Sequence, residues 1–129
     1  MARSAPRAGW WRRDADRGAA TAELVMVLPM LAAVALGLVW LLSVGAAQLR
    51  TVDAARETAR AVARGDDTAT AVSRGGEVGP PGTKVEVSAG ESEVVATATA
   101  RVEGPGGLFG WMPGVTLHAR AVAATEESR

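Results

Sequence analysis

The sequence predicts an α+β protein: a long N-terminal helix, membrane-spanning and then amphipathic, followed by a small three-stranded antiparallel sheet. An uncharged run from Leu24 to Ala47 predicts the membrane-spanning part of the helix. Beyond residue 83 the apolar residues change from helical spacing to strict alternation, which is typical of strands. Outside the run the chain is rich in small residues, with one Phe and no Tyr. The core is therefore expected to be thin, which argues against a free-standing enzyme.

The charges divide the chain into a basic N-terminal arm and an acidic body. Residues 1–18 hold five arginines against two aspartates, and residues 19–129 hold nine basic and twelve acidic side chains. A basic arm ahead of an apolar run predicts an N-terminus in the cytoplasm and a body outside. This pattern is not typical of a nucleic-acid-binding protein. The absence of cysteine excludes disulfides, thiolate metal sites and a lipoprotein anchor, so the body is expected to need support from a partner.

The apolar run is long enough to cross a membrane. Its 24 residues carry no charge, and a helix of that length extends about 36 Å, against a hydrocarbon core of about 30 Å. Pro29 cannot donate a hydrogen bond to the carbonyl of Val25, so the helix is expected to be weakened or bent there. The competing interpretation is a cleavable secretion signal that releases a module beginning near Gln48. However, the apolar cores of such signals span only about 7–15 residues.

The segment after the run is predicted to be an amphipathic continuation of the same helix. Its apolar residues recur every three or four positions, and no helix breaker separates it from the run. The predicted apolar face consists of Leu49, Val52, Ala55, Ala59 and Val62. Residues 19–64 are therefore predicted to hold one continuous helix, from Ala20 to Arg64, which Gly65 ends.

The rest of the chain is predicted to be a linker and a small β-domain. Residues 65–83 are rich in Gly and Pro and are predicted to be a loop, with at most a short helical turn over 67–73. Residues 84–124 are predicted to form an antiparallel meander that packs by one face on the helix. The alternating segments that predict its strands are 84–88, 94–102 and 115–122. The tail, residues 125–129, is predicted to be disordered.

Three large apolar residues, Phe109, Trp111 and Met112, lie in the Gly-rich connection between the second and third predicted strands. They either close the end of a thin core or form an exposed contact for another protein component. The sequence leaves both interpretations open.

The sequence carries no arrangement of residues that is typical of an active site. His118 is the only histidine and there is no cysteine, so neither a metal centre nor a nucleophile with its base is predicted. The Gly-rich stretches lack the lysine of a phosphate-binding loop, and no basic stripe with aromatic residues indicates nucleic-acid binding. We therefore expect no catalytic residues, no metal, no cofactor and no nucleic-acid partner. The protein is predicted not to be an enzyme.

The residues ahead of the apolar run carry a more specific motif. The string RGAATAE, residues 17–23, directly precedes the run, and Leu28-Pro29 follows inside it. A basic leader that ends in Gly, then a small residue, a Glu five positions after the Gly and a long apolar helix resembles the class III leader of type IV pilins. The Leu-Pro pair after the Glu resembles the TadE-like family in particular. The resemblance is dense over residues 17–64 and only general beyond them.

The resemblance implies that residues 1–18 are a leader peptide, which prepilin peptidase removes between Gly18 and Ala19. Glu23 would then be the fifth residue of the mature chain and would dock against the new α-amine of a neighbouring subunit. A carboxylate needs such a partner, because carrying it into the bilayer costs about 2.5–3.5 kcal/mol near the centre and less at the edge. Gly18 also leaves room for a protease at the backbone and disfavours helix at the cut.

The resemblance further implies a minor pilin or pseudopilin that takes part in the assembly of a Tad-type (Flp) type IV pilus. Its partners would be prepilin peptidase, the major pilin, other pseudopilins, the inner-membrane assembly platform and the lipid bilayer. The protein would be a single-pass protein of the cytoplasmic membrane, either kept there or incorporated into the extracellular pilus. The alternative is an uncleaved membrane anchor whose β-domain binds a partner in the cell envelope. In that case Gly18 and Glu23 would be replaceable without effect on maturation or assembly.

Overall fold

The computed structural model describes residues 10–107 and 110–125, with side chains from residue 17 onward. In this part of the chain the elements are α1 (Trp10–Ala63), α2 (Thr68–Val78), β1 (Lys84–Ala89), β2 (Glu93–Val102) and β3 (Val115–Ala124). A long N-terminal helix and a small antiparallel sheet make an α+β fold, and this confirms the predicted fold class. The chain divides after Leu38 into two compact units, which are described separately.

The first unit contains the N-terminal part of α1. This helix begins at Trp10 and continues through Gly18 and Pro29. The predicted start at Ala20 was therefore wrong by ten residues, and residues 10–18 are helical, not extended as the predicted cleavage segment required. Alanines on both sides of Gly18 favour helix, and one internal glycine costs only about 1 kcal/mol relative to alanine.

The second unit begins with the rest of α1, which ends as the sequence predicts. The helix stops at Ala63, and Gly65 has a left-handed backbone with φ 92°. The Gly65 N–H donates to the Val62 carbonyl at 2.9 Å, and the next N–H, of Asp66, donates to the Ala61 carbonyl at 3.1 Å. These two bonds form a Schellman cap, which satisfies carbonyls that the helix end would otherwise leave without donors.

The face that α1 buries is made of small residues. Thr51, Ala54, Ala55, Thr58 and Ala59 are all buried, and Thr51 and Thr58 are the largest side chains that are completely so. Each threonine donates its hydroxyl to the carbonyl one turn earlier, at 2.8 Å, so neither hydroxyl is left without an acceptor. The predicted apolar face was correct at Ala55 and Ala59 but wrong at Leu49, which is 68% exposed. Small side chains occupy this face because they let the sheet approach the helix closely.

Residues 65–83 were predicted to be a loop, and this was wrong for the eleven residues of α2. Asp67 caps the helix: its carboxylate accepts the Thr70 N–H at 2.9 Å and the Thr70 hydroxyl at 3.0 Å. These two hydrogen bonds, the backbone one first, lower the pKa of Asp67 below its ordinary value. The Gly75-Gly76 pair lies inside α2 because Gly75 is buried where α2 meets α1. A Cβ at Gly75 would overlap the Oγ1 of Thr58.

The three strands form an antiparallel sheet in the order β1-β2-β3. The predicted strands were correct to within two residues at every end. Inward-facing residues alternate along β2, and Ala98, opposite Ala119 of β3, packs with Ala54 and Ala55 of α1. The core is thus built mainly from alanine, as thin as the composition predicts. Thr125, predicted to begin a disordered tail, instead donates its N–H to the Ser92 carbonyl at 3.1 Å.

Candidate assembly and membrane sites

The residues of the predicted cleavage and docking site all lie on one exposed stretch of α1. Gly18, Ala19 and Glu23 are exposed, and no heavy atom lies within 4 Å of a Cβ added at Gly18. Ala19 and Glu23 are four positions apart and therefore lie on the same face of the helix, one turn from each other. An amine at Ala19 would thus lie on the same side of the helix as the Glu23 carboxylate.

Glu23 borders a long apolar surface. Between residues 17 and 47 the only charged residues are Arg17 and Glu23. The large apolar side chains that follow, from Leu24 to Leu42, are about half exposed or more, except Trp40, which is partly buried. A carboxylate at the edge of such a surface has a strong preference for a cationic partner when the surface is covered by lipid or protein.

The apolar run is exposed over most of its length. One helix in the described residues is long and apolar enough to cross a membrane, and no residue in its most apolar 18-residue stretch is buried. A helix in the core of a soluble protein would be largely covered. Pro29 lies within this helix, which continues past it. Because a proline ring removes one backbone donor, the carbonyl of Val25 is left without its usual partner.

A second group of contacts, all in the second unit, was not predicted from the sequence. The indole N–H of Trp40 donates to the backbone carbonyl of Glu103 at 3.1 Å, which joins α1 to the residue after β2. The side-chain amide of Gln48 donates to the His118 carbonyl of β3 at 3.2 Å. The sequence shows only that Trp40 and Gln48, near the C-terminal end of the apolar run, carry side-chain hydrogen-bond donors. It does not show which carbonyls accept from them.

Of the residues predicted either to close the core or to form an exposed contact, Trp111 and Met112 differ in their exposure. Trp111 is 77% exposed, so it does not close the core. Met112 is half-buried, and its backbone packs against Gly104 on the other side of the β2–β3 connection. Phe109 lies outside the described residues. The structure therefore leaves Trp111 as an exposed aromatic side chain on the connection.

The C-terminal part of α1 and α2 line an open groove of about 640 Å³ with charges of both signs. It is lined by Asp53, Arg56, Glu57, Arg60, Arg74, Glu77 and Val78. Within residues 17–107 and 110–125, no three His, Asp or Glu side chains lie close enough together to hold a metal ion. His118 pairs across the sheet with Thr99, whose Oγ1 lies 3.3 Å from its Nδ1.

Part of α1 matches a known protein family. The family described as TadE-like protein matches residues 18–60, which begin at the predicted cleavage position and include the apolar run and most of the amphipathic segment. No curated protein and no solved structure matches the chain. The match covers about a third of the chain and excludes α2 and the sheet. Residues 18–60 of α1, with Gly18, Ala19, Glu23 and Pro29, are therefore TadE-like in sequence.

Proposed function

We propose that this protein is a minor pilin or pseudopilin of a Tad-type (Flp) pilus, and that prepilin peptidase cleaves it between Gly18 and Ala19. The observation that carries the proposal is the TadE-like match, which starts at residue 18 and continues to residue 60. The TadE-like family is connected with Tad pilus systems. The exposed apolar surface of α1 supports the proposal, because a helix that is inserted first in lipid and later among other subunits needs no cover from its own chain.

Glu23 is the proposed docking residue. Cleavage after Gly18 creates an α-amine at Ala19, and the helical spacing places this amine and the Glu23 carboxylate on one face of α1. A neighbouring subunit can then supply an amine to this carboxylate while its own carboxylate is free to pair in the same way. Such pairing would offset the cost of placing a carboxylate among apolar side chains.

The continuous helix favours one alternative, an uncleaved anchor whose β-domain binds an envelope partner. A peptidase requires an extended substrate, whereas residues 10–18 are helical. For the leading proposal, α1 must unwind locally around Gly18. The exposed position of Gly18 and the freedom of a glycine backbone make that region the easiest place for unwinding.

The test is the N-terminal sequence of the protein isolated from membranes, with and without its prepilin peptidase. We expect a start at Ala19 that depends on the peptidase and is lost in Gly18→Leu. Gly37→Leu is the matched control, because Gly37 is also exposed on α1 with no atom within 4 Å of an added Cβ. An intact N-terminus in the presence of the peptidase would favour the anchor, and a start near Gln48 would indicate a secreted module.

Docking is tested separately with Glu23→Gln, which keeps the shape of the side chain and removes its charge. We expect normal cleavage but loss of co-purification with the major pilin and other pseudopilins. Glu77→Gln on α2 is the control, because it removes an exposed carboxylate far along the chain from the run. Normal assembly of Glu23→Gln would contradict the docking role and leave the cleavage result standing.

Orientation is part of the same proposal: the N-terminus inside and the β-domain outside the cytoplasmic membrane. Because the chain has no cysteine, Ser88→Cys on the exposed end of β1 supplies a single thiol. In intact cells we expect this thiol to react with a membrane-impermeant maleimide once the outer envelope is opened. Labelling only after lysis of the cytoplasmic membrane would reverse the orientation.

A further inference from the structure

We infer that the described part of the β2–β3 connection, residues 104–107 and 110–114, is a membrane-surface contact whose Trp111 side chain lies among the lipid headgroups. The connection lies where the apolar run ends, and its partner is the bilayer surface, not a protein. This inference requires α1 to cross a bilayer, but it does not depend on cleavage at Gly18 or on pilus assembly.

The position of the connection follows from its tether to α1. Trp40 donates its indole N–H to the Glu103 carbonyl at 3.1 Å. Trp40 lies seven residues before Ala47, the end of the uncharged run, which is about 10 Å along the helix axis. The start of the connection is therefore held beside helix residues that belong to the membrane span. The 17 residues from Leu24 to Trp40 extend about 26 Å as a helix, so if they form the part of the span that lies in hydrocarbon, Glu103 lies at the level of the bilayer boundary.

A second contact places Trp111 at the same level. Gly104, directly after Glu103, packs so closely on Met112 that an added Cβ would lie 2.6 Å from the Met112 carbonyl oxygen. Trp111 precedes Met112 in the chain and is 77% exposed. The tether thus continues from Trp40 through Glu103 and Gly104 to the residue beside Trp111.

The chemistry of the connection suits a bilayer interface. Its eleven residues, GPGGLFGWMPG, carry no charge, and tryptophan is the residue most typical of the zone between hydrocarbon and water. The nearest acidic group, Glu103, is paired with Arg101 at 3.2 Å. Arg50, Arg101 and Glu103 line an adjoining groove together with Pro80 and Pro81. Because Glu103 is paired with Arg101, the guanidinium group of Arg50 is the one left in this groove for headgroup phosphates. An uncharged, aromatic connection beside arginines is complementary to lipid in both apolar surface and charge.

The experiment uses the full chain reconstituted in phosphatidylcholine–phosphatidylglycerol vesicles, with Trp10 and Trp11 replaced by Phe. The emission of Trp111 is obtained as the difference between this protein and the same protein with Trp111→Phe. We expect that emission to be shifted to shorter wavelength than tryptophan in water. We also expect it to lose intensity with lipids brominated near the headgroup end of the acyl chain, and to lose less with lipids brominated near the chain terminus.

The matched control is Val122→Trp in the Trp111→Phe background. Val122 is 56% exposed on β3 and lies seven residues beyond Val115, about 23 Å along the strand. A tryptophan there should keep water-like emission and should not respond to brominated lipid. Val122→Trp therefore distinguishes a specific contact from a body that lies flat on the membrane.

A third variant tests the tether. Trp40→Phe keeps the ring in the apolar run and removes the N–H that holds Glu103, so the quenching of Trp111 should weaken. Water-like, unquenched emission from Trp111 in a chain that resists carbonate extraction would overturn the inference, as would burial that occurs only when other pilus proteins are added. A chain that does not insert at all would overturn it together with the membrane span, whereas failure of cleavage alone would leave it intact.

Discussion

Gly75 provides a sharp test of how α2 packs on α1. In an ordinary helix position, replacement of glycine by alanine stabilises the fold by about 1 kcal/mol. Gly76→Ala should do this, because its added Cβ would meet only the Thr83 carbonyl oxygen, at an ordinary 3.6 Å. At Gly75 the added Cβ would overlap the Thr58 hydroxyl and lie 3.2 Å from the Ala54 carbonyl oxygen. Overpacking of this kind costs about 1–3 kcal/mol, and because both variants gain the same helix propensity, they should differ by about this overpacking cost.

The assay is hydrogen–deuterium exchange of the α2 amides in the full chain in detergent micelles, which gives the opening free energy of α2 itself. Thr58→Ala removes the hydroxyl that causes the overlap, so Gly75→Ala should be much less harmful in the Thr58→Ala background. The coupling free energy in this double-mutant cycle should fall within about 0.5–3 kcal/mol, the range found for residues in contact. Equal protection in Gly75→Ala and Gly76→Ala, or no coupling to Thr58, would refute the close approach of the two helices.

Three further predictions concern the cap, the helix end and the core. The pKa of Asp67 is lowered from its ordinary value of 3.8 by the Thr70 backbone N–H and hydroxyl. The ionised Asp67 cap therefore stabilises the fold above the unfolded pKa of about 3.9, and this stabilisation is lost as pH falls through the lower folded pKa. An acid-range titration of the Thr70 amide shift by NMR should therefore show a transition below pH 3.8 that is absent in Asp67→Asn. Gly65→Ala forces an L side chain into a backbone with φ 92° and should lower the free energy of urea unfolding by about 1–2 kcal/mol. Gly65→Asn should lower it less. Equal losses in the two variants would contradict the left-handed cap. Ala98→Leu should lower the free energy of unfolding by about 1–3 kcal/mol because Ala98 is fully buried against α1. Thr97→Leu, on the opposite face of the sheet, should be tolerated. If Thr97→Leu were the more harmful variant, the sheet would pack by its other face.

The strands and the end of α1 were predictable because local chemistry decides them. Alternation from Val94 to Val102 leaves one choice of inward face, and Gly65 is the residue type that a left-handed cap requires. The features that were missed depend on distant parts of the chain. Two adjacent glycines indicate a loop by propensity, but tertiary packing overrides this at Gly75, where only a residue without a side chain fits against Thr58. The prediction that Leu49 is buried was wrong for a related reason. Periodicity identifies an apolar stripe on the helix, but it does not show which part of that stripe the sheet covers.

The roles assigned to Gly18, Ala19 and Glu23 stay predictions, whereas the backbone expected at Gly18 was wrong. Gly18 and Glu23 were singled out by their spacing, and the TadE-like match over residues 18–60 includes both of them. The helical backbone at Gly18 was not expected, because glycine was weighed alone and the alanines around it were not. The contact of Trp40 with Glu103 joins residues 63 positions apart. No local pattern in the sequence could reveal that contact.

The small-residue face of α1 has a consequence for how the molecule can be approached in an assembly. Between residues 49 and 60, one side of the helix is already occupied by the chain's own sheet, through Ala54 and Ala55. The opposite side is left open, and it presents Leu49, Asp53, Arg56 and Arg60 in a single exposed stripe. A neighbour can therefore meet this stretch of the helix from one direction only. The helix is therefore chemically one-sided here: a contact made on this stretch meets the charged side chains and Leu49, and the alanines stay reserved for the chain's own sheet.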